Sequence, residues 1–162
     1  MASAASAQVT SFRGYLTGYS YWDNTPPGSA AISNPQIHEF AGGVGTYFDP
    51  ITIAVGHVID GADVLDFPAG TRFYLPHLRK YAIVEDTCGD GDSPQDGPCH
   101  IGKDGLPWLD IYVDGATSDA ARADACSEKI TTIQTFVVNP GPNHSVVVGA
   151  LTESGCYTFP DL

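Results

Sequence analysis

The chain has 162 residues, enough for one domain with a real core, and it carries 7 Lys and Arg against 19 Asp and Glu, a formal charge of −12. That excess of acid argues against nucleic acid as a partner, since phosphates need basic side chains, and against an anionic membrane surface. No run of 18 apolar residues occurs, so nothing reads as a membrane-spanning helix.

The first eight residues, MASAASAQ, are small and rich in Ser and Ala. Ala5-Ser6-Ala7 resembles the end of a secretory signal. Residues 1–8 are therefore read as a leader or signal remnant, and 9–162 as a single domain. VTSFRGYLTGYSYWD (9–23) is rich in aromatic and β-branched residues and predicts a strand, which NTPPGSAAISNP (24–35) breaks. DPITIAVGHVI (49–59), TRFYLP (71–76, after the Pro68-Ala69-Gly70 turn) and KYAIVED (80–86) predict further strands. WLDIYVD (108–114), TTIQTFVV (131–138) and HSVVVGALT (144–152) complete the set. Ser118-Asp119 offer an N-cap to AARADACSEKI (120–130), so one short helix is expected at about 118–129. Short strands between Gly and Pro turns suggest a small barrel or a sandwich.

Four cysteines, Cys88, Cys99, Cys126 and Cys156, form no C-x-x-C pair, which argues against a metal site. No cofactor is expected. Two disulfides fit the count better and imply an oxidising, extracellular setting. Three connectivities are possible. Cys88–Cys99 with Cys126–Cys156 is favoured, because it closes the intervening Gly/Pro/Asp loop and ties the helix to the C-terminal strand. Asn143-His144-Ser145 adds a glycosylation sequon in a Gly/Pro turn.

In WLDIYVD, the apolar Leu109, Ile111 and Val113 alternate with Trp108, Asp110, Tyr112 and Asp114. In a small barrel the apolar face fills the interior, so Asp110 looks outward beside two aromatics. It is either a solvated strand residue or the acid of a cleft. Asp23 shares a strand face with Tyr19 and Tyr21; it suits either a cap on the turn at Asn24-Thr25-Pro26 or a second carboxylate of such a site. Asp86, at the end of its strand, suits either a structural acceptor for loop N–H groups or a supporting carboxylate. Trp108 lies on Asp110's side and is the better stacking platform, whereas Trp22 is expected in the core. The five histidines (38, 57, 77, 100 and 144) are scattered and read mainly as surface or turn residues, with His100 a candidate for orienting the site. PHLRKY (76–81) reads as a solvated basic strand end.

In order, GTYFDPITIAV, FPAGTRFYLPHLRKYAIVEDTCG and WLDIYVDG resemble the double-psi β-barrel domains of the three-aspartate type found in lytic transglycosylases of the membrane-bound A family. The resemblance covers roughly residues 44–115. TGYSYWDNTPPGS is also similar to the opening strand of family-45-type endoglucanases, which are related to expansins; there the Asp of Tyr-Trp-Asp is the base and an Asp on a later strand is the acid. Gly56 stands where the first of the three aspartates falls, and Asn24 stands where the endoglucanases have Cys.

The resemblance implies a six-stranded double-psi β-barrel with one short helix. It further implies a secreted, monomeric glycoside hydrolase acting on a β-1,4-linked wall polysaccharide. Peptidoglycan is the first choice of substrate, which would make the protein a muramidase. An endo-β-1,4-glucanase, a lytic transglycosylase and a non-hydrolytic expansin-like protein are the alternatives. Asp110 would be the acid, Asp23 the base and Asp86 their support, with Tyr19, Tyr21, Trp108, Tyr112 and His100 contacting substrate.

Overall fold

The computed structural model describes residues 8–162, so residues 1–7 of the expected leader lie outside the described residues. In chain order the elements are β1 (Thr10–Ser20), β2 (Ile51–Val55), β3 (His57–Asp60), β4 (Ala62–Leu65), β5 (Arg72–Leu75), β6 (Lys80–Thr87), α1 (Pro98–Ile101), β7 (Trp108–Asp114), α2 (Ala120–Ile130) and β8 (Thr132–Val138). Six strands close a barrel in the order β1-β7-β2-β6-β5-β8, while β3 and β4 pair beside it as a separate hairpin. The β1–β7 and β2–β6 contacts are parallel and the other four barrel contacts antiparallel. The fold is thus mainly β with one main helix, and its crossings fit the double-psi description.

Period-2 alternation explains the closure. Leu16, Ile53, Val55, Phe73, Leu75, Val84, Leu109, Ile111, Val113 and Phe136 are all fully buried in one core cluster. Where β1 presses against its neighbours, its side chains vanish. A Cβ on Gly14 would meet the Phe136 ring at 2.9 Å, and one on Gly18 would meet Ser127 of α2 at 2.8 Å. Helix α2 starts at Asp119, whose carboxylate accepts from the backbone N–H of Arg122 at 2.8 Å. Its apolar side buries Ala123, Cys126 and Ile130.

Both favoured disulfides are present, Cys88–Cys99 and Cys126–Cys156. The second ties α2 to the C-terminal segment, but that segment is not the strand expected over 144–152. The barrel has already closed through β8 and offers no free edge, so this stretch packs across the outside. It is held there by Tyr74 Oη donating to Ser145 O (2.6 Å) and by Lys80. Lys80, expected in a solvated strand end, is 1 % exposed. Its ammonium donates to Val147 O, to Gly149 O (2.6 Å) and to Ser154 Oγ (2.9 Å). Among the described residues no carboxylate balances it, and burial pushes the amine down to about 8.

The absence of a side chain at Gly56 also has a physical reason. A Cβ there would lie 2.4 Å from Asp66 Oδ2, 2.5 Å from His100 N and 2.7 Å from the Cys99 carbonyl carbon. The disulfide-closed loop and α1 occupy the space a side chain would need. Gly56→Ala should therefore lose about 1–3 kcal/mol through overpacking, read as a lower thermal midpoint. Gly141→Ala, whose Cβ would meet nothing within 4 Å, should change little. Equal midpoints for the two variants would contradict this packing.

Candidate active site

Parallel pairing of β1 with β7 sets three cross-strand pairs on the outer face: Tyr15 with Trp108, Thr17 with Asp110, and Tyr19 with Tyr112. On the other side of β7, Asp110 is registered with Ala54 of β2. Ala54 is in turn registered with Asp86 of β6, because the pairing skips Glu85 between Val84 and Asp86. This bulge re-aims the strand: without it Glu85, not Asp86, would stand beside Ala54. Two aspartates thus rise on either side of a single methyl group, and the small side chain leaves a hollow between them.

The hollow is a cleft of about 430 Å³, within the size range of ligand sites, lined among others by Tyr19, Asp23, Asn24, Ser33, Ala54, Asp86, Asp90 and Asp110. Asp110 is half-buried in its wall. Burial raises its carboxyl to about 7; the Thr17 hydrogen bond (2.9 Å to Oδ1) works against this, and the charges of Asp23 and Asp86 add to it. A carboxyl of this kind is substantially protonated near neutrality, as a general acid must be.

Asp86 is held differently. Its Oδ1 accepts from Ser33 N (3.1 Å), Ser33 Oγ (3.2 Å) and Thr87 N (2.9 Å), and its Oδ2 accepts from Tyr19 Oη (2.8 Å). Burial still raises its pKa despite these four donors. Both readings of Asp86 meet here: it is a fixed loop acceptor and it sits in the cleft. Asp23 lies on an exposed turn, where its Oδ1 accepts from Ser20 N (2.6 Å) and Ser20 Oγ (3.2 Å). It is a cleft residue, but the turn it closes is that of residues 20–23 rather than the one at Asn24-Thr25-Pro26, and its Oδ2 has no protein partner among the described residues.

The aromatic part of the expected site is rearranged. Tyr19 reaches the cleft, but its ring is buried against Tyr112 (5.3 Å between centroids) and its hydroxyl belongs to Asp86. Burial first, then Asp86, keeps that phenol well above its ordinary pKa. Tyr112 is 2 % exposed and lies under Tyr19, outside the cleft lining. Tyr21 packs edge-on to Trp22 and also misses the lining. Trp22 is not core: it is 39 % exposed, with its indole N–H donating to Gly115 O at 2.8 Å. Trp108 shares Asp110's face as the alternation requires, yet it contacts the site through Thr17, donating from Nε1 to Thr17 Oγ1 at 2.9 Å. His100 sits in α1 and pairs with Asp66 (2.7 Å), away from the cleft.

Three features escape sequence reasoning. Thr17 is one; its position opposite Asp110 follows only from the β1–β7 register. The second is the clamp on Glu85, which is fully buried. It accepts from Gln36 N, Ile37 N, His38 N and Thr52 Oγ1, and pairs with His38 Nδ1 at 2.8 Å. His38 Nε2 meets Asp49 at 2.6 Å. Burial disfavours the imidazolium, but the two carboxylates outweigh burial and raise its pKa. The third is His57, buried rather than at the surface, joining Asp63 (2.7 Å) to Gly89 O (2.8 Å). Among the described residues no group of three His, Cys, Asp or Glu side chains is arranged to hold a metal ion.

Comparison with known proteins places the chain in a family. A family model described as the DDB_G0273701 N-terminal domain matches residues 11–157, so the chain belongs to that family. It is 31% identical, over 165 residues, to a Dictyostelium discoideum protein described as "Uncharacterized protein DDB_G0273701/DDB_G0273221". The match covers 99% of this chain and 65% of that relative, so the chain spans about two-thirds of the relative's length at most. No solved structure matches. The likeness to glycan-active barrels rests on the sequence motifs.

The raised carboxyl has a consequence for stability. Its folded value, about 7, lies above the unfolded value of about 3.9, so between them the folded state binds more proton. Stability from Asp110 is therefore full below about pH 4, falls as pH rises toward about 7, and stays flat above it. Asp110→Asn should remove this loss. The midpoint difference, variant minus wild type, should grow from pH 4 to 7 and then level off. A difference independent of pH would contradict the assignment.

Proposed function

We propose that this family member is a glycoside hydrolase that cleaves β-1,4 linkages in a cell-wall polysaccharide, with Asp110 as general acid and Asp23 as general base. The observation that supports it most is a carboxyl poised to be protonated near pH 7 in the same cleft as an exposed carboxylate with a free oxygen. Pairs of carboxyl groups driven into different environments are the usual way to obtain an acid and a base from one residue type.

In the reaction, Asp110 gives its proton to the glycosidic oxygen as the bond from that oxygen to the anomeric carbon breaks. Water forms the new bond to that carbon, and its proton goes to Asp23. Asp86, saturated by four donors, is ill suited to take a proton from water. Its role is to keep Asp110 protonated by like-charge repulsion. An inverting arrangement of this kind needs the two carboxyl groups roughly 6.5–9.5 Å apart.

Peptidoglycan remains the first-choice substrate, because the longest run of matched motifs is of the transglycosylase kind. A second reading, a neutral β-glucan, is favoured by one observation. The charged side chains lining the cleft, Asp23, Asp86, Asp90 and Asp110, are all acidic, and they repel an anionic wall polymer. The two disulfides suit secretion into an oxidising medium.

The test is incubation with purified peptidoglycan, carboxymethyl cellulose and mixed β-glucan, followed by mass analysis of the fragments. Hydrolysis gives products with reducing ends, whereas a lytic transglycosylase gives anhydro-sugars. Asp110→Asn should lose at least about 10²-fold in rate and Asp23→Asn nearly as much. Activity should fall as pH rises through about 7, where Asp110 loses its proton. Anhydro products with an active Asp23→Asn would move the assignment to a transglycosylase, and full activity in Asp110→Asn would end it.

A further inference from the structure

Behind Asp110, away from the cleft lining, two side chains form a directed hydrogen-bond chain. Trp108 Nε1 lies 2.9 Å from Thr17 Oγ1, and Thr17 Oγ1 lies 2.9 Å from Asp110 Oδ1. Neither residue lines the cleft. The indole N–H is a donor only, so Thr17 must accept there. The single hydroxyl hydrogen of Thr17 is then left to donate, either to Asp110 Oδ1 or to Leu109 O, which is farther away at 3.5 Å. The nearer acceptor, Asp110 Oδ1, wins. In a protonated carboxyl the carbonyl oxygen is a better acceptor than the hydroxyl oxygen, so the oxygen that receives the Thr17 hydrogen is the poorer place for the acid's own proton.

We propose that Thr17 and Trp108 are positioning residues for the acid: Trp108 turns the Thr17 hydroxyl onto Oδ1 of Asp110, so that the transferable proton sits on Oδ2, which Thr17 leaves free. The proposal rests on the glycosidase reading for its catalytic meaning, but the hydrogen-bond chain itself does not. The same contact stabilises the carboxylate left after proton transfer, because a hydrogen bond to a charged acceptor is stronger than one to a neutral acceptor. Thr17 therefore offsets part of the burial that raises Asp110. The other titratable groups facing Asp110 are Tyr19 on β1, Asp86 on β6, and Asp23 and Asp90 from the cleft rim. They are common to every variant below.

The experiment is a ¹³C carboxyl titration of Asp110 in protein labelled at aspartate, which needs no substrate. Thr17→Val keeps the shape and removes the hydroxyl, and should raise the midpoint by about one pH unit. Thr17→Ser keeps a hydroxyl and should stay near wild type. Trp108→Phe keeps an aromatic ring and removes the N–H; it should raise the midpoint by less, and should add nothing in the Thr17→Val background, since it acts through Thr17. In turnover, the alkaline limb of the pH profile should move with the titration, and kcat should fall about tenfold in Thr17→Val with KM unchanged, a part of what general acid catalysis supplies. An unmoved or lowered midpoint in Thr17→Val overturns the proposal, as does a Trp108→Phe shift that persists without the Thr17 hydroxyl. If the titration pattern holds but wild type cleaves no glycan, the glycosidase reading fails and the hydrogen-bond chain stands.

Discussion

The site depends on one constraint: strand β7 is paired on both edges, so its outward carboxylate has strands on either side of it. Thr17 of β1 flanks Asp110 on one side and Ala54 of β2 on the other. Charging a carboxyl in such a wall costs more than charging it in water, and barrel closure leaves β7 no freedom to swing Asp110 out. The raised carboxyl is thus a product of the register. The inner face of the same strand, Leu109, Ile111 and Val113, is fully buried and fixes that register, because a slip by one residue would turn Asp110 into the core.

The opposite wall is set by a second burial problem on β6. Glu85 and Asp86 are consecutive buried carboxylates, and each must find donors. The long segment after β1 supplies them. Ser33 binds Asp86, and the backbone of residues 36–38 with the His38 ring binds Glu85. Residues 31–33 of this segment line the cleft, so the satisfaction of Glu85 on one side of β6 holds the wall of the site on the other. His38 belongs to this clamp. Its ring pairs with Glu85, where no Lys or Arg is within salt-bridge reach among the described residues, and the two carboxylates it joins favour its charged form.

Much of this was legible in the sequence, and the parts that were not share a cause. Alternation in WLDIYVD placed Asp110 outward and Trp108 beside it, and loop closure gave the two disulfides. The helix after Asp119 followed from its cap. Alternation says nothing about which strand is a neighbour, however, so Thr17 stayed invisible until β1 was found parallel to β7. The bulge that sets Asp86, rather than Glu85, beside Ala54 is likewise a property of pairing. The segment 144–152 has a strand's composition, but a closed barrel offers it no partner. Lys80 and His38 looked like surface residues, because sequence records charge and not the carbonyls and carboxylates that fold over it. The aromatic residues expected to stack on sugars were read by face alone. Tyr19 and Tyr112 share that face but pack on each other.

The pairing of Asp110 with Asp23 across a glycan is read most directly from the structure of the Asp110→Asn protein with a bound β-1,4-linked oligosaccharide that spans the cleft. A glycosidic oxygen should lie within hydrogen-bond distance of the residue 110 side chain, with Asp23 on the opposite face of the sugar and a water between Asp23 and the anomeric carbon. An oligosaccharide bound with its glycosidic oxygens far from residue 110, or with Asp23 and residue 110 on the same face of the ring, would contradict it.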